Sequence, residues 1–108
     1  MSTATYPLLL KVTKPMYQSL MHHEERGYQI EFSLNNPEIK PVSVVFNKIK
    51  QNITQNHRQG NRYTVRILSQ SGVIDNFQPE FVDLPNGIIF RINDTLYLKK
   101  IDFQPVNP

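Results

Sequence analysis

The stretch PVSVVFNKIKQNI, residues 41–53, decides how this chain folds, because it fits two periods at once. With a helical period, Val42, Val45, Phe46, Ile49 and Ile53 fall at i, i+3, i+4, i+7 and i+11 and make one apolar stripe. With a period of two, Val42, Val44 and Phe46 suit a strand instead. The stripe is the longer pattern, and it predicts a helix from residue 42 to about residue 56.

Upstream, residues 6–13 are apolar and β-prone and read as a first strand. Thr13 can cap a helix with Pro15 in its first turn, where a missing N–H costs nothing. Met16, Tyr17, Leu20 and Met21 follow at helical spacing, and Gly27 suits a helix stop. Tyr28, Ile30 and Phe32 alternate with polar residues and predict a half-buried strand to Leu34. Downstream, Tyr63, Val65 and Ile67 alternate in a strand over residues 62–68. Ser71-Gly72 marks a turn. A meander then follows over residues 80–84, 88–92 and 95–103, with turns at Pro85-Asn86-Gly87 and Asn93-Asp94. The expected order is β-α-β-α-β-β-β-β. That is a single α+β domain over residues 1–108, with two helices packed on one side of a mainly antiparallel sheet.

Leu8 to Phe32 resembles, in layout, the opening β-α-β of PUA-like and ASCH domains, small RNA-associated folds. Glu31-Phe32-Ser33 stands where ASCH domains carry Glu-x-Arg, so the arginine of that pattern is missing here, as is its preceding Gly-Lys.

Length and composition suit one folded domain: 108 residues, 39% hydrophobic, with five Tyr and six Phe. The chain has no cysteine, which removes disulfides, thiol catalysis and thiolate zinc sites. The start has no basic n-region, and Leu8-Leu9-Leu10 is too short for a signal core. No apolar run reaches the roughly 20 residues of a membrane helix. Asn52-Ile53-Thr54 and Asn93-Asp94-Thr95 match the glycosylation pattern by chance on this reading, which expects a cytoplasmic protein.

Catalytic signatures are absent. Gly27, Gly60, Gly72 and Gly87 all have backbone roles, and no phosphate-cradling loop exists, so no nucleotide cofactor is expected. His22 and Glu25 lie at a helical metal-chelating spacing, but two ligands fall short of a zinc site. Glu38-Ile39-Lys40 has the Glu-x-Lys form of a metal-dependent nuclease, with Glu31 as its upstream carboxylate. Prolines 37 and 41 bracket it as a loop. The expectation is a non-enzymatic protein with no metal, and a small nuclease stands as the low-weight alternative.

Charge is the stronger signal. Residues 40–74 carry six cations and no carboxylate: Lys40, Lys48, Lys50, Arg58, Arg62 and Arg66. Residues 1–39 hold three cations against four acids, and residues 75–108 hold three against five. A basic segment of this kind implies an anionic partner. On the helical reading, Lys48 and Lys50 project about 160° apart. On the strand, Arg62, Thr64 and Arg66 share one face, the two arginines about 13 Å apart. Between them, residues 51–61, Gln55 and Asn56 among them, are dense in amides and hydrogen-bond donors, with His57 and Arg58 at the loop tip. Arg, Gln and Asn hold phosphates and read base edges, and Tyr28, Tyr63 or Tyr97 can stack on an unpaired base. The expected function is nucleic-acid binding through Lys48, Lys50, Gln55, Asn56, His57, Arg58, Arg62 and Arg66. The alternative is docking on an acidic protein.

Overall fold

Residues 41–53 fold as a β-hairpin. The computed structural model describes residues 11–36 and 39–106, so the first strand expected over residues 6–13 lies mostly outside the described residues, as do Pro37 and Glu38. β3 (Pro41–Phe46) and β4 (Ile49–Asn52) pair antiparallel, with Phe46 opposite Ile49 and Val44 opposite Gln51. Asn47 and Lys48 form the two-residue loop between them at φ of 53° and 65°. Positive φ at both central residues is the mark of an I′ hairpin turn, whose twist matches that of the flanking strands.

The first helix is also a strand. β1 (Val12–His22) and β2 (Glu25–Leu34) form a long antiparallel hairpin. Pro15 sits where the register shifts between Thr13 and Met16, beside Lys14 at φ 50°. Proline is tolerated within sheets at such irregularities. Met16 and Leu20 therefore stand on one face of β1 and Tyr17 and Met21 on the other, which splits the supposed helical stripe. The α+β expectation is thereby overturned, and with it the β-α-β likeness of residues 8–32.

Gly27 does not end a helix either. It lies inside β2 beside a bulge, and an added Cβ would overlap the Ile67 carbonyl oxygen and lie 2.8 Å from Leu68 Cα. Only glycine allows β2 and the next strand to approach this closely.

The remaining strands are β5 (Arg58–Gln59), β6 (Arg62–Ser71), β7 (Glu80–Phe81), β8 (Gly87–Ile92), β9 (Thr95–Lys100) and β10 (Gln104–Pro105). One 3-10 turn, Gln55–His57, precedes β5. Two five-stranded sheets result, in the orders β10-β1-β2-β6-β5 and β7-β4-β3-β8-β9. All pairings are antiparallel except β1 with β10. The strands expected from Tyr28 and Arg62 onward and the C-terminal meander match β2, β6, β8 and β9.

The sheets pack face to face through one core. Ile30, Phe32 and Leu34 of β2 and Tyr63, Val65 and Ile67 of β6 meet Val44 and Phe46 of β3, Ile49 of β4 and Ile88 and Phe90 of β8. Ile39 and Phe103 close it from the connections. The stacked rings of Phe32 and Tyr63, 5.1 Å apart, set the registry of the first sheet within this layer. β3 is buried on both faces: Val45 is as inaccessible as Val44, and the buried Ser43 hydroxyl donates to Asn52 Oδ1 at 3.0 Å. Double burial puts apolar residues on both faces of β3, with Val44, Val45 and Phe46 in succession, the pattern that periodicity cannot assign to strand or helix. Among the described residues, no helix is long and apolar enough to cross a membrane.

Candidate binding cleft

The acid-free segment is contiguous in sequence but divided in space. Lys48 sits in the β3–β4 turn with its Nζ 3.1 Å from Asp83 Oδ1. Lys50, on β4, lies 3.4 Å from Glu80 of the paired strand β7. Arg62 turns onto the outer face of the first sheet. It donates to Ser33 Oγ at 3.1 Å and to the Lys14 carbonyl at 3.3 Å, and it faces Glu31 at 3.6 Å. Strand pairing and the connection after β7 thus supply three carboxylates from outside the segment. Arg66 is exposed on the same outer face as Arg62, opposite Gln29.

The loop tip has structural duties of its own. His57 Nδ1 accepts a hydrogen bond from the Thr54 amide at 3.0 Å, and the His57 amide donates to the Thr54 carbonyl at 3.1 Å. Gln55 and Asn56 are exposed on the 3-10 turn. Arg58 Nε donates to the Gly60 carbonyl at 2.7 Å. The expected residues are divided between the sheets: Lys48 and Lys50 belong to the second, Arg58, Arg62 and Arg66 to the first.

An open cleft lies between residues of the two sheets at the β3–β4 turn. Its volume is about 410 Å³, and Tyr17, Ser19, Tyr28, Phe46, Asn47, Lys48 and Asn86 line it with Leu84 and Pro85. That size falls within the range of roughly 300–1,000 Å³ usual for small-ligand sites. The aromatic wall comes from both sheets: the rings of Tyr17 and Tyr28 each lie 4.8 Å from that of Phe46. The polar rim is built by the hairpin turn. Asn47 Nδ2 donates to the Tyr28 hydroxyl at 2.9 Å, and the Asn47 amide donates to Asn86 Oδ1 at 2.8 Å. These bonds use one half of each side-chain amide. The Asn47 side-chain oxygen and the Asn86 NH₂ group, one acceptor and one donor, have no partner among the described residues, and both residues line the cleft.

A second hollow of about 230 Å³ continues from the first along the β1–β2 ribbon and shares Ser19 and Tyr28 with it. Arg26, Met21 and Ser69 line its far end. The two together make a groove with tyrosines at its middle, Lys48 at one end and Arg26 at the other. Arg26 has no ion pair among the described residues. Tyr28 and Lys48 were candidates from the sequence. Tyr17, Ser19, Asn47 and Asn86 were not, and recognising Asn47-Lys48 as a turn is the step that would have brought them together.

The helical spacing expected of His22 and Glu25 is not present, since both lie on strands. His22 and Glu25 are register partners at the tip of the β1–β2 hairpin, and the His22 and His23 rings touch at 4.2 Å. Among the described residues, no group of three His, Asp or Glu side chains is placed to hold a metal ion. Glu38 lies outside them. No family model, curated protein or solved structure matches this chain.

Proposed function

We propose that this β-sandwich is a non-catalytic binding domain for single-stranded nucleic acid, with the groove between Lys48 and Arg26 as its site. The observation that carries this reading is the pair Tyr17 and Tyr28 on the wall of an open cleft of about 410 Å³, beside a free amide acceptor and a free amide donor. A base edge offers adjacent donors and acceptors of this kind, and stacking on aromatic rings tolerates any base. Lys48 lines one hollow and Arg26 the other, so each supplies a cation for backbone phosphates of a bound strand. The Lys48–Asp83 pair is exposed and therefore contributes little, so a phosphate can take the lysine from the carboxylate at small cost. A closed duplex hides its base faces and does not suit such a groove.

The test is fluorescence anisotropy of a labelled oligothymidine, its duplex with oligoadenosine as the comparison. The wild type should bind the single strand and bind the duplex at least about tenfold more weakly, since stacking is worth about 1–3 kcal/mol per base. Equal affinity for the two forms, or no binding at about 50 mM salt where phosphate contacts are strongest, would overturn the reading.

A further inference from the structure

At the opposite end of β3, a second and chemically different pocket lies between the sheets. Its volume is about 110 Å³, and Lys40, Pro41, Ile53, Thr54, Gln55, Arg58 and Tyr63 line it. This is well below the roughly 300 Å³ at which ordinary small-ligand sites begin, so it has no room for a base with its sugar.

Two cations meet at this pocket, and among the described residues no carboxylate lines it. Lys48, Lys50 and Arg62, from the same acid-free segment, each have an acidic partner: Asp83 beyond the end of β7, Glu80 on β7 and Glu31 on β2. Among the described residues, Lys40 and Arg58 have none. Arg58 is held in place by the bond from its Nε to the Gly60 carbonyl, which leaves both terminal nitrogens of the guanidinium to donate elsewhere.

The neutral groups around them are donors too. Thr54 offers a hydroxyl and Gln55 a side-chain amide. The Tyr63 residue is 5% exposed, and its hydroxyl has no hydrogen-bond partner among the described residues, yet no buried side-chain oxygen is left unsatisfied. That hydroxyl is therefore reached from the pocket that Tyr63 lines. Like charges brought together without compensation repel, and a tetrahedral oxyanion bridging them turns the repulsion into charge-assisted hydrogen bonds.

We infer that the Lys40–Arg58 pocket is a binding site for a phosphate group, either free phosphate or the phosphoryl end of a larger molecule. The inference does not depend on the tyrosine cleft, and the variants below separate the two.

The experiment is a titration of ¹⁵N-labelled protein with inorganic phosphate at constant ionic strength, balanced with sodium chloride and followed by NMR. Saturable shifts should appear at the Arg58 Nε–H and at the amides of Thr54 and Gln55. Arg58→Gln and Lys40→Gln should each weaken binding about tenfold, the size of one lost charged hydrogen bond. Tyr28→Ala should leave the phosphate shifts unchanged. Lys40→Gln, on an exposed residue with no structural bond, keeps the test decisive if Arg58→Gln fails to fold. Methyl phosphate binding as well as phosphate assigns the site to a phosphoryl group on a larger molecule, and a preference for inorganic phosphate assigns it to the free ion. Shifts that never saturate, that spread equally to Arg66, Lys99 and Lys100, or that saturate in Lys40→Gln with the wild-type midpoint would overturn the inference.

Discussion

The Asn47 side chain donates to the Tyr28 hydroxyl at 2.9 Å, joining the β3–β4 turn of one sheet to the second strand of the other. This bond crosses the mouth of the cleft and holds the tyrosine ring upright beside Phe46. It makes Tyr28 both a brace and, on the proposed reading, a stacking surface. The two roles separate by substitution.

Tyr28→Phe removes the hydroxyl and keeps the ring. It should cost about 1 kcal/mol of stability, the usual net worth of one hydrogen bond, and leave oligothymidine affinity within about threefold of wild type. Tyr28→Ala removes both and should weaken single-strand binding by about tenfold or more. Urea titration and anisotropy on the same samples check the pair. Equal binding by the two variants removes Tyr28 from the site.

The turn itself gives a prediction whose sign depends on the fold. Lys48 holds φ 65°, where a side chain strains the backbone and glycine does not. Lys48→Gly should therefore raise stability by about 1 kcal/mol, diminished slightly by loss of the exposed contact to Asp83. In a helix over residues 42–56 the same change would lower stability by about 1 kcal/mol. The shift of the urea midpoint decides between them.

Gly27→Ala should be among the most damaging single-methyl changes in the chain. The new Cβ meets backbone of β6, the Ile67 carbonyl and Leu68 Cα, and backbone cannot rotate aside as a side chain can. We expect a loss of about 3 kcal/mol or more, read by thermal or urea unfolding. Had Gly27 been a helix stop on the surface, the cost would have been near 1 kcal/mol.

These positions show what was legible. Ile30 and Phe32, and Tyr63, Val65 and Ile67, alternate cleanly because one face of β2 and of β6 meets the core and the other meets solvent. The same rule failed at β3, where burial on both faces erased the alternation and left a run that any period fits. It failed at β1 because Pro15 sits at an irregularity, and the Thr-x-Pro that opens many helices here marks a break in strand register. The two-residue loop was hidden because Asn47-Lys48 lacks the glycine that usually announces such a turn. Charge misled in a different way. A segment without acids need not form a basic surface, because β pairing brings Glu31 and Glu80 to it, and the chain just beyond β7 brings Asp83. Periodicity and charge runs are local measures, and neither registers which strand becomes the neighbour.

That separation of charges gives the final prediction. Each phosphate contact adds about 0.7 to the magnitude of the slope of log K against log salt for a single strand, because a bound cation releases condensed counterions. Arg62 is tied to Ser33, to the Lys14 carbonyl and to Glu31 on the outer face of the first sheet, away from the groove. Arg62→Ala should thus leave the salt slope unchanged, although it should lower stability by releasing Glu31. Lys48→Ala and Arg26→Ala, at the two ends of the groove, should each reduce the slope by about 0.7. Arg66→Ala, on the same outer face as Arg62, should leave it unchanged. If instead the slope falls in Arg62→Ala and Arg66→Ala and holds in Lys48→Ala and Arg26→Ala, the strand runs over the outer face of the first sheet, and the groove is not its site.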